Sequence, residues 1–357
     1  MVQKNAEYRR LVVDRQRRLS ETLGVSGYED KVRDLIIAEI EPIVEKYWVD
    51  AMGNLIAIMG EPGKSPILLD AHLDEIGLMI THVTDQGFAY FTPIGGWDER
   101  LFLGQTVVAE PQSTRIHGVI GALPPHITRA EDRKKSMDVE SLFIDFGFLT
   151  KDEADAAGVK VGSVCTLDSG FQELPGGRLK GKAFDDRTGC NILVQTACNL
   201  AKKELPHQVC FVWAVQEEVG TRGARTAAYA LDEQYHITMA VACENTTAGD
   251  VPGVPPQRCP SRMGKGPAIT LVDANTVVSK MVSDLLITTA EENKIPYQIK
   301  TPASGGTDAG AIHLTRAGIP SGVVSVPGRY IHSPATIIDI KDVLGAIDLV
   351  TAFTLMP

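Results

Sequence analysis

Two histidines, an aspartate pair and several glutamates stand at the ends of hydrophobic stretches in this chain, where packing alone does not explain them. Ala71-His72-Leu73-Asp74-Glu75 follows the apolar run Ile67-Leu68-Leu69. In open α/β sheets the ligand crevice lies outside the carboxyl ends of the strands, so His72 is delivered where a ligand binds. Asp74, two residues on, can accept a hydrogen bond from the His72 ring nitrogen that does not face a metal, fixing the tautomer. Alone, such a His-x-Asp pair is more often a structural hydrogen bond. Gly181-Lys182-Ala183-Phe184-Asp185-Asp186-Arg187 opens a helix. Acids there are favoured by capping and by the helix dipole; the competing reading is a carboxylate, Asp185, that bridges two metals at the same sheet edge.

Cys210-Phe211-Val212-Trp213-Ala214-Val215 runs into Gln216-Glu217-Glu218-Val219-Gly220. A buried strand that ends in two glutamates is costly unless the carboxylates are paired, protonated or bound to cations. Neighbouring side chains leave an extended chain in different directions, so one glutamate can ligate a metal while the other serves as general base for a water. Two further strand ends follow the same rule: Ala240-Val241-Ala242-Cys243 leads into Glu244, and Val323 to Val326 leads through Pro327-Gly328-Arg329-Tyr330 to His332. Imidazole and carboxylate ligands suit zinc, and equally cobalt or manganese. Two such ions about 3.5–4 Å apart stabilise both the nucleophile and the developing oxyanion of a hydrolysis. A site of that kind needs a shared ligand, terminal ligands on each side and a nearby base, and these stretches hold residues for all three.

The elements that must position them read as α/β. Tyr8, Leu11, Val12, Leu19 and Leu23 fall near helical spacing and predict a first helix over about 5–23. Ser26-Gly27-Tyr28-Glu29 matches a capping box before a second helix through Val32, Ile36 and Ile40. Strands are expected at Tyr47–Asp50, Leu55–Met59 and Ile67 onward. From 76 to 166 the texture changes to short apolar stretches cut by Gly, Pro and Asp, a mostly β insertion that contains the charged loop Pro124–Asp138. The α/β pattern then returns. Helices are expected from Thr188, from Thr276 with Asn275 as cap, over Ala309–Ala317 and from Lys341; strands are expected at Val209–Val215, Ile237–Ala242, Tyr297–Lys300 and Gly322–Val326. The expected architecture is therefore a discontinuous catalytic domain, 1–75 plus 167–357, with its sheet flanked by helices, and an inserted β-rich domain, 76–166.

Composition narrows the function. With 357 residues, 44% of them hydrophobic and 22% charged, the chain can bury a large core. Acids outnumber Lys and Arg 45 to 35, with no basic stripe for a phosphate backbone, so nucleic acid is not an expected partner. The first twenty residues lack an apolar core followed by a cleavage site, and no run of about twenty apolar residues exists to span a bilayer. The six cysteines show no C-x-x-C pair and read as reduced core thiols of a cytoplasmic protein.

Taken in order, AHLDEIGLM from Ala71, GKAFDDRTGC from Gly181, VQEEVGTRGARTAA from Val215, CENTTAGDVPG from Cys243, GGTDAGAIHLTRAGIP from Gly305 and SVPGRYIHSP from Ser325 resemble the tetrahedral, or glutamyl, aminopeptidase family of dinuclear zinc exopeptidases. The resemblance covers most of the chain. It implies a mixed sheet flanked by helices and a PDZ-like β domain inserted after the first His motif. It implies one metal on His72, Asp185 and Glu244, the other on Asp185, Glu218 and His332, with Asp185 as bridge. Glu217 becomes the general base and Asp74 the partner of His72. Family members carry Glu or Asp at the position assigned to Glu244. The Gly305–Gly310 loop would line the substrate pocket, with Asp308 holding its shape and taking no catalytic role.

The expected activity is release of N-terminal residues from peptides. The expected assembly is a dimer that builds a hollow tetrahedral dodecamer, with the insertion pairing subunits far from the ligands and taking no part in catalysis. Competing readings are a related deacylase or carboxypeptidase, an endoglucanase with two carboxylates and no metal, or a scaffold particle with a dead site.

Overall fold

The computed structural model describes residues 6–123, 126, 138–301 and 305–357. Apart from His126 and Asp138, the loop expected at 124–138 lies outside them. Among the described residues an 11-stranded mixed sheet organises the molecule. Its centre is the parallel set Val209–Ala214, Ile67–His72, Met239–Thr247 and Ser321–Arg329, in that spatial order, with Leu55–Met59 antiparallel beside Val209–Ala214.

The central strands are covered on both faces, and their residues alternate accordingly. Val209, Phe211 and Trp213 enter one core, and Cys210, Val212 and Ala214 enter the other. On the first face lies the helix Phe184–Leu200, packed against Ala6–Glu21 and Ile340–Thr354. It seats directly on Met239–Thr247, because Gly189 has no side chain; a Cβ there would collide with the carbonyl of Cys243. The helix Arg222–Tyr235 covers the second face through Ala224, Ala227, Ala228 and Leu231.

The stretch between Gly77 and Leu167 forms a separate closed barrel of six strands with its own core, including Leu78, Ile80, Phe91, Phe102, Ile120 and Ile144. Closure leaves this small sheet without open edges.

Three expected elements differ. The helix expected from Thr276 runs over Lys280–Glu292, because Asp273 Oδ1 accepts the amides of Asn275 (2.8 Å) and Thr276 (2.7 Å) and turns that segment outside the helix. The helix expected over Ala309–Ala317 is the single turn Ala309–Ile312. Ser26 caps no helix: the helix Asp30–Ile40 has no side-chain cap, and the Ser26 hydroxyl is engaged elsewhere.

Candidate metal centre

His72 is the last residue of Ile67–His72 and is almost fully buried. The parallel register sets Ala242 beside Asp70, so Glu244, two residues on, falls level with His72 on the neighbouring strand. Glu244 lies within Met239–Thr247 rather than just past a strand end, as its sequence context implied. Its Oε2 is 3.8 Å from His72 Nε2. Asp185 stands at the start of the helix Phe184–Leu200 and gives one oxygen to each histidine. Oδ1 is 3.3 Å from His72 Nε2, and Oδ2 is 3.4 Å from His332 Nε2. His332 Nε2 also lies 3.3 Å from Glu218 Oε2.

Three sets of ligand atoms therefore come within 4.8 Å of one another: His72 with Asp185 and Glu244, Asp185 with Glu218 and His332, and His72 with Glu217 and Glu218. The two glutamates are less divergent than an extended chain would make them. The strand stops at Ala214, Gln216 takes a left-handed φ of 57°, and both carboxylates turn towards the same imidazole.

The surrounding contacts lock these groups. Asp74 Oδ1 lies 3.2 Å from His72 Nδ1. The Asp74 carboxylate also accepts the Ser26 hydroxyl at 2.6 Å and the backbone N–H groups of Glu217 (3.0 Å) and Glu218 (3.1 Å). One side chain thus ties the histidine to the glutamate loop, and a buried carboxylate outcompetes a helix amide for Ser26. The two readings of the acidic pair are divided between its members. Asp186 turns inward and accepts the N–H of His72 (3.3 Å) and of Gly189 (2.9 Å), the capping role, while Asp185 faces the histidines.

Beneath them, Lys182 Nζ donates to both Glu75 oxygens at 2.7 Å, and Thr166 and the Gly24 N–H complete the shell of Glu75. Two contributions come from main-chain atoms, which carry no signal in the sequence, although the loop of Asp308 was expected to line the pocket. The backbone N–H of Asp308 donates to Glu244 Oε1 at 3.2 Å. The carbonyl of Gly96 accepts from Nδ1 of His332 at 3.0 Å.

Gly96 belongs to the inserted stretch, which therefore reaches the site, against the expectation that it stays remote. The loop after Ala89–Ile94 is held by the Trp97 indole N–H, which donates to the Gly77 carbonyl at 2.9 Å. Gly95 makes the turn with a φ of 80°, where a Cβ would strike Ile76.

The charge balance is strongly acidic. Burial pushes the carboxyls of Glu244, Glu217 and Glu218 above the usual range, against the partial relief that the histidines provide. Burial opposes charge on His72, yet the contacts with Asp185 and Asp74 hold its pKa well above that of a free imidazole. Burial also works against the low pKa of Asp185, which its contacts with His332 and His72 produce. Desolvated carboxylates crowded round two imidazoles call for cations, and this donor set fits divalent ions of the zinc type. The groups face a cavity of about 330 Å³, a size suited to a small ligand.

The model of the M42 glutamyl aminopeptidase family matches residues 53–349. A lysyl aminopeptidase of Pyrococcus furiosus is 31% identical over 94% of this chain and 94% of its own length. An aminopeptidase from the archaeon Desulfurococcus kamchatkensis superposes with a TM-score of 0.92 at 37% identity, covering 98% of this chain and 96% of that one. The TET1 peptidase of Pyrococcus horikoshii, described as able to assemble into a tetrahedron or a large octahedral shell, superposes with a TM-score of 0.86 at 34% identity over 97% of this chain and 100% of that one.

Proposed function

This chain belongs to the M42 glutamyl aminopeptidase family, whose members hydrolyse peptide bonds, and on that premise we propose that it releases N-terminal residues from peptides with two divalent metal ions. His72, Asp185 and Glu244 would hold one ion and Asp185, Glu218 and His332 the other, with Asp185 shared. The observation that carries this reading is the placement of the Asp185 oxygens, each within 3.4 Å of a different imidazole. Zinc is the proposed ion, and the same donors accept cobalt or manganese. Bound there, such ions polarise the scissile carbonyl and lower the pKa of water.

The protein's own groups do the rest. Glu217 Oε2 lies 3.8 Å from His72 Nε2, and its backbone is pinned by Asp74. Its carboxylate takes the proton of the attacking water and returns it to the leaving amine. Asp74 holds His72 in one tautomer, and the Gly96 carbonyl does the same for His332.

We assign 1–75 and 167–357 to the catalytic domain and 76–166 to the pairing of subunits, building dimers and then a tetrahedral dodecamer. The assembly named for the Pyrococcus horikoshii relative supports this. The cytoplasm is the proposed compartment, because all six cysteines are free. Among the described residues no helix is long and apolar enough to cross a membrane.

The test is to chelate the protein, restore each metal in turn, and follow metal content, thermal unfolding and cleavage of peptides with free or acetylated N-termini. Two ions should rebind per chain, and only free amines should be cleaved. Cleavage that needs a free carboxyl terminus, or that removes the acetyl group, would replace this reading with a carboxypeptidase or deacylase.

A further inference from the structure

Ser26-Gly27-Tyr28-Glu29 carries the pattern of a capping box, yet neither polar side chain caps the helix Asp30–Ile40. Ser26 donates to Asp74, and Glu29, 5% exposed, turns to a different segment. Its Oε1 accepts the N–H of Gly27 at 2.7 Å and of Gln216 at 3.1 Å.

The second contact completes a series. After the strand Val209–Ala214, four consecutive amides are each held by a side-chain oxygen from another part of the chain: Val215 by Asn54 Oδ1 (2.9 Å), Gln216 by Glu29, and Glu217 and Glu218 by the two oxygens of Asp74 (3.0 and 3.1 Å). Together they hold a turn that the local backbone resists. Gln216 has a φ of 57°, which a residue with a Cβ adopts only at a cost. An extended continuation would send Glu217 and Glu218 to opposite faces of the sheet, whereas the turn brings both to His72. Within the loop itself the Arg222 N–H closes the far side of the turn on the Gln216 carbonyl at 3.2 Å.

We propose that Glu29 is a positioning residue: by accepting the Gln216 N–H it fixes the left-handed turn that aims Glu217 and Glu218 into the metal centre. The inference rests on the reading of Glu217 as base and Glu218 as ligand. Glu29 is not among the described residues that line the metal cavity, so its effect passes through the turn.

The experiment compares wild type with Glu29→Gln, whose amide oxygen still accepts an N–H, Glu29→Met, of similar size but with no such acceptor, and Glu29→Asp, which keeps the charge but is one methylene too short. For each, kcat and KM are measured with both metals bound, on whichever of the Leu, Lys and Glu p-nitroanilides wild type cleaves best. Stepwise metal affinity is measured on the chelated protein. Glu29→Met and Glu29→Asp should lower kcat by about 10- to 100-fold, the scale of a catalytic group displaced by about an ångström. KM should stay within about threefold, because the cavity wall is unaltered. One of the two metal-binding steps, that of the ion on Glu218, should weaken about tenfold while the other holds. Glu29→Gln should keep kcat and both affinities within about threefold of wild type.

Unchanged kcat and affinities in Glu29→Met overturn the proposal, whatever happens to its melting temperature. Glu29→Gln as impaired as Glu29→Met also overturns it, since the charge and not the accepted N–H would then matter. Residue-resolved hydrogen exchange of wild type decides without any variant having to fold: the Gln216 amide should exchange slowly, and fast exchange overturns the proposal. If wild type with two ions bound cleaves none of the anilides, the aminopeptidase reading fails, while the metal affinities still decide the role of Glu29.

Discussion

The Nδ1–H of His332 donates to the main-chain carbonyl of Gly96 at 3.0 Å, across 236 positions of sequence. A carbonyl can only accept, so this contact keeps the proton on Nδ1 and leaves Nε2 free to face Asp185 and Glu218. It also makes the inserted barrel a participant in the site, because the Gly95-Gly96-Trp97 loop continues directly from a barrel strand.

Gly96→Ala tests that contact. The new Cβ would sit 3.3 Å from His332 Nδ1, so the ring has to shift. One of the two ions should bind about tenfold more weakly, the scale seen when a ligand's outer hydrogen bond is disturbed. Competition with a chromophoric chelator reads this directly. Unchanged affinity for both ions would show that the orientation of His332 does not depend on Gly96.

Glu217→Gln should lower turnover by about 10²- to 10⁴-fold while both ions stay bound, since the amide keeps the shape but takes no proton. Metal analysis and steady-state rates on the same sample check it. Near-normal turnover with both ions present would move the base elsewhere.

Asp185→Ala should release both ions together, because its two oxygens face different histidines. Asp186 is in no position to replace it, with its carboxylate committed to the amides of His72 and Gly189. A single ion still tightly held would remove the bridging role.

Stability should carry a pH signature from Asp342. Burial, and next to it the charge of Asp339, push this carboxyl from 3.8 up to about 6, despite the N–H donors of Gly264 (2.6 Å) and Gly266 (2.8 Å). The folded chain then holds the proton more tightly than the unfolded one. Between about pH 4 and 6 the unfolded state binds fewer protons, and stability falls as pH rises. Asp342→Asn cannot titrate, so wild-type stability relative to the variant should drop by up to about 3 kcal/mol over that window. Urea unfolding of both proteins at stepped pH measures the difference, and parallel curves would refute it.

Light scattering of the metal-replete protein should find a particle about twelve times the 38.6 kDa chain, with dimers as the stable intermediate. Chelation should loosen the particle if metal binding and packing are coupled. A monomer at micromolar concentration would refute the assembly, and a dimer alone would leave only the pairing role of the barrel.

Much of the candidate site was legible in the sequence because the demands of such a site fall on residue types. Apolar runs mark the central strands, sheet geometry sends their carboxyl ends to one crevice, and His72, Glu217, Glu218 and Glu244 stand at or near those ends. The change of texture from 76 to 166 likewise marked a second core, because a small barrel is built from short strands and frequent turns. What tertiary structure decided are choices between neighbours and contributions from groups that carry no side-chain signature. The split of Asp185 towards the histidines and Asp186 towards the helix amides depends on the backbone path at the helix start. Ser26 left its predicted cap because folding places the Asp74 carboxylate within 2.6 Å of its hydroxyl. The helix expected at Thr276 starts later because Asp273 takes the amides first. Gly96 acts through a carbonyl, which every residue possesses. Pattern reveals which chemistries a chain can carry; which atoms meet is set by packing between segments far apart, where desolvation makes each hydrogen bond or charge decisive.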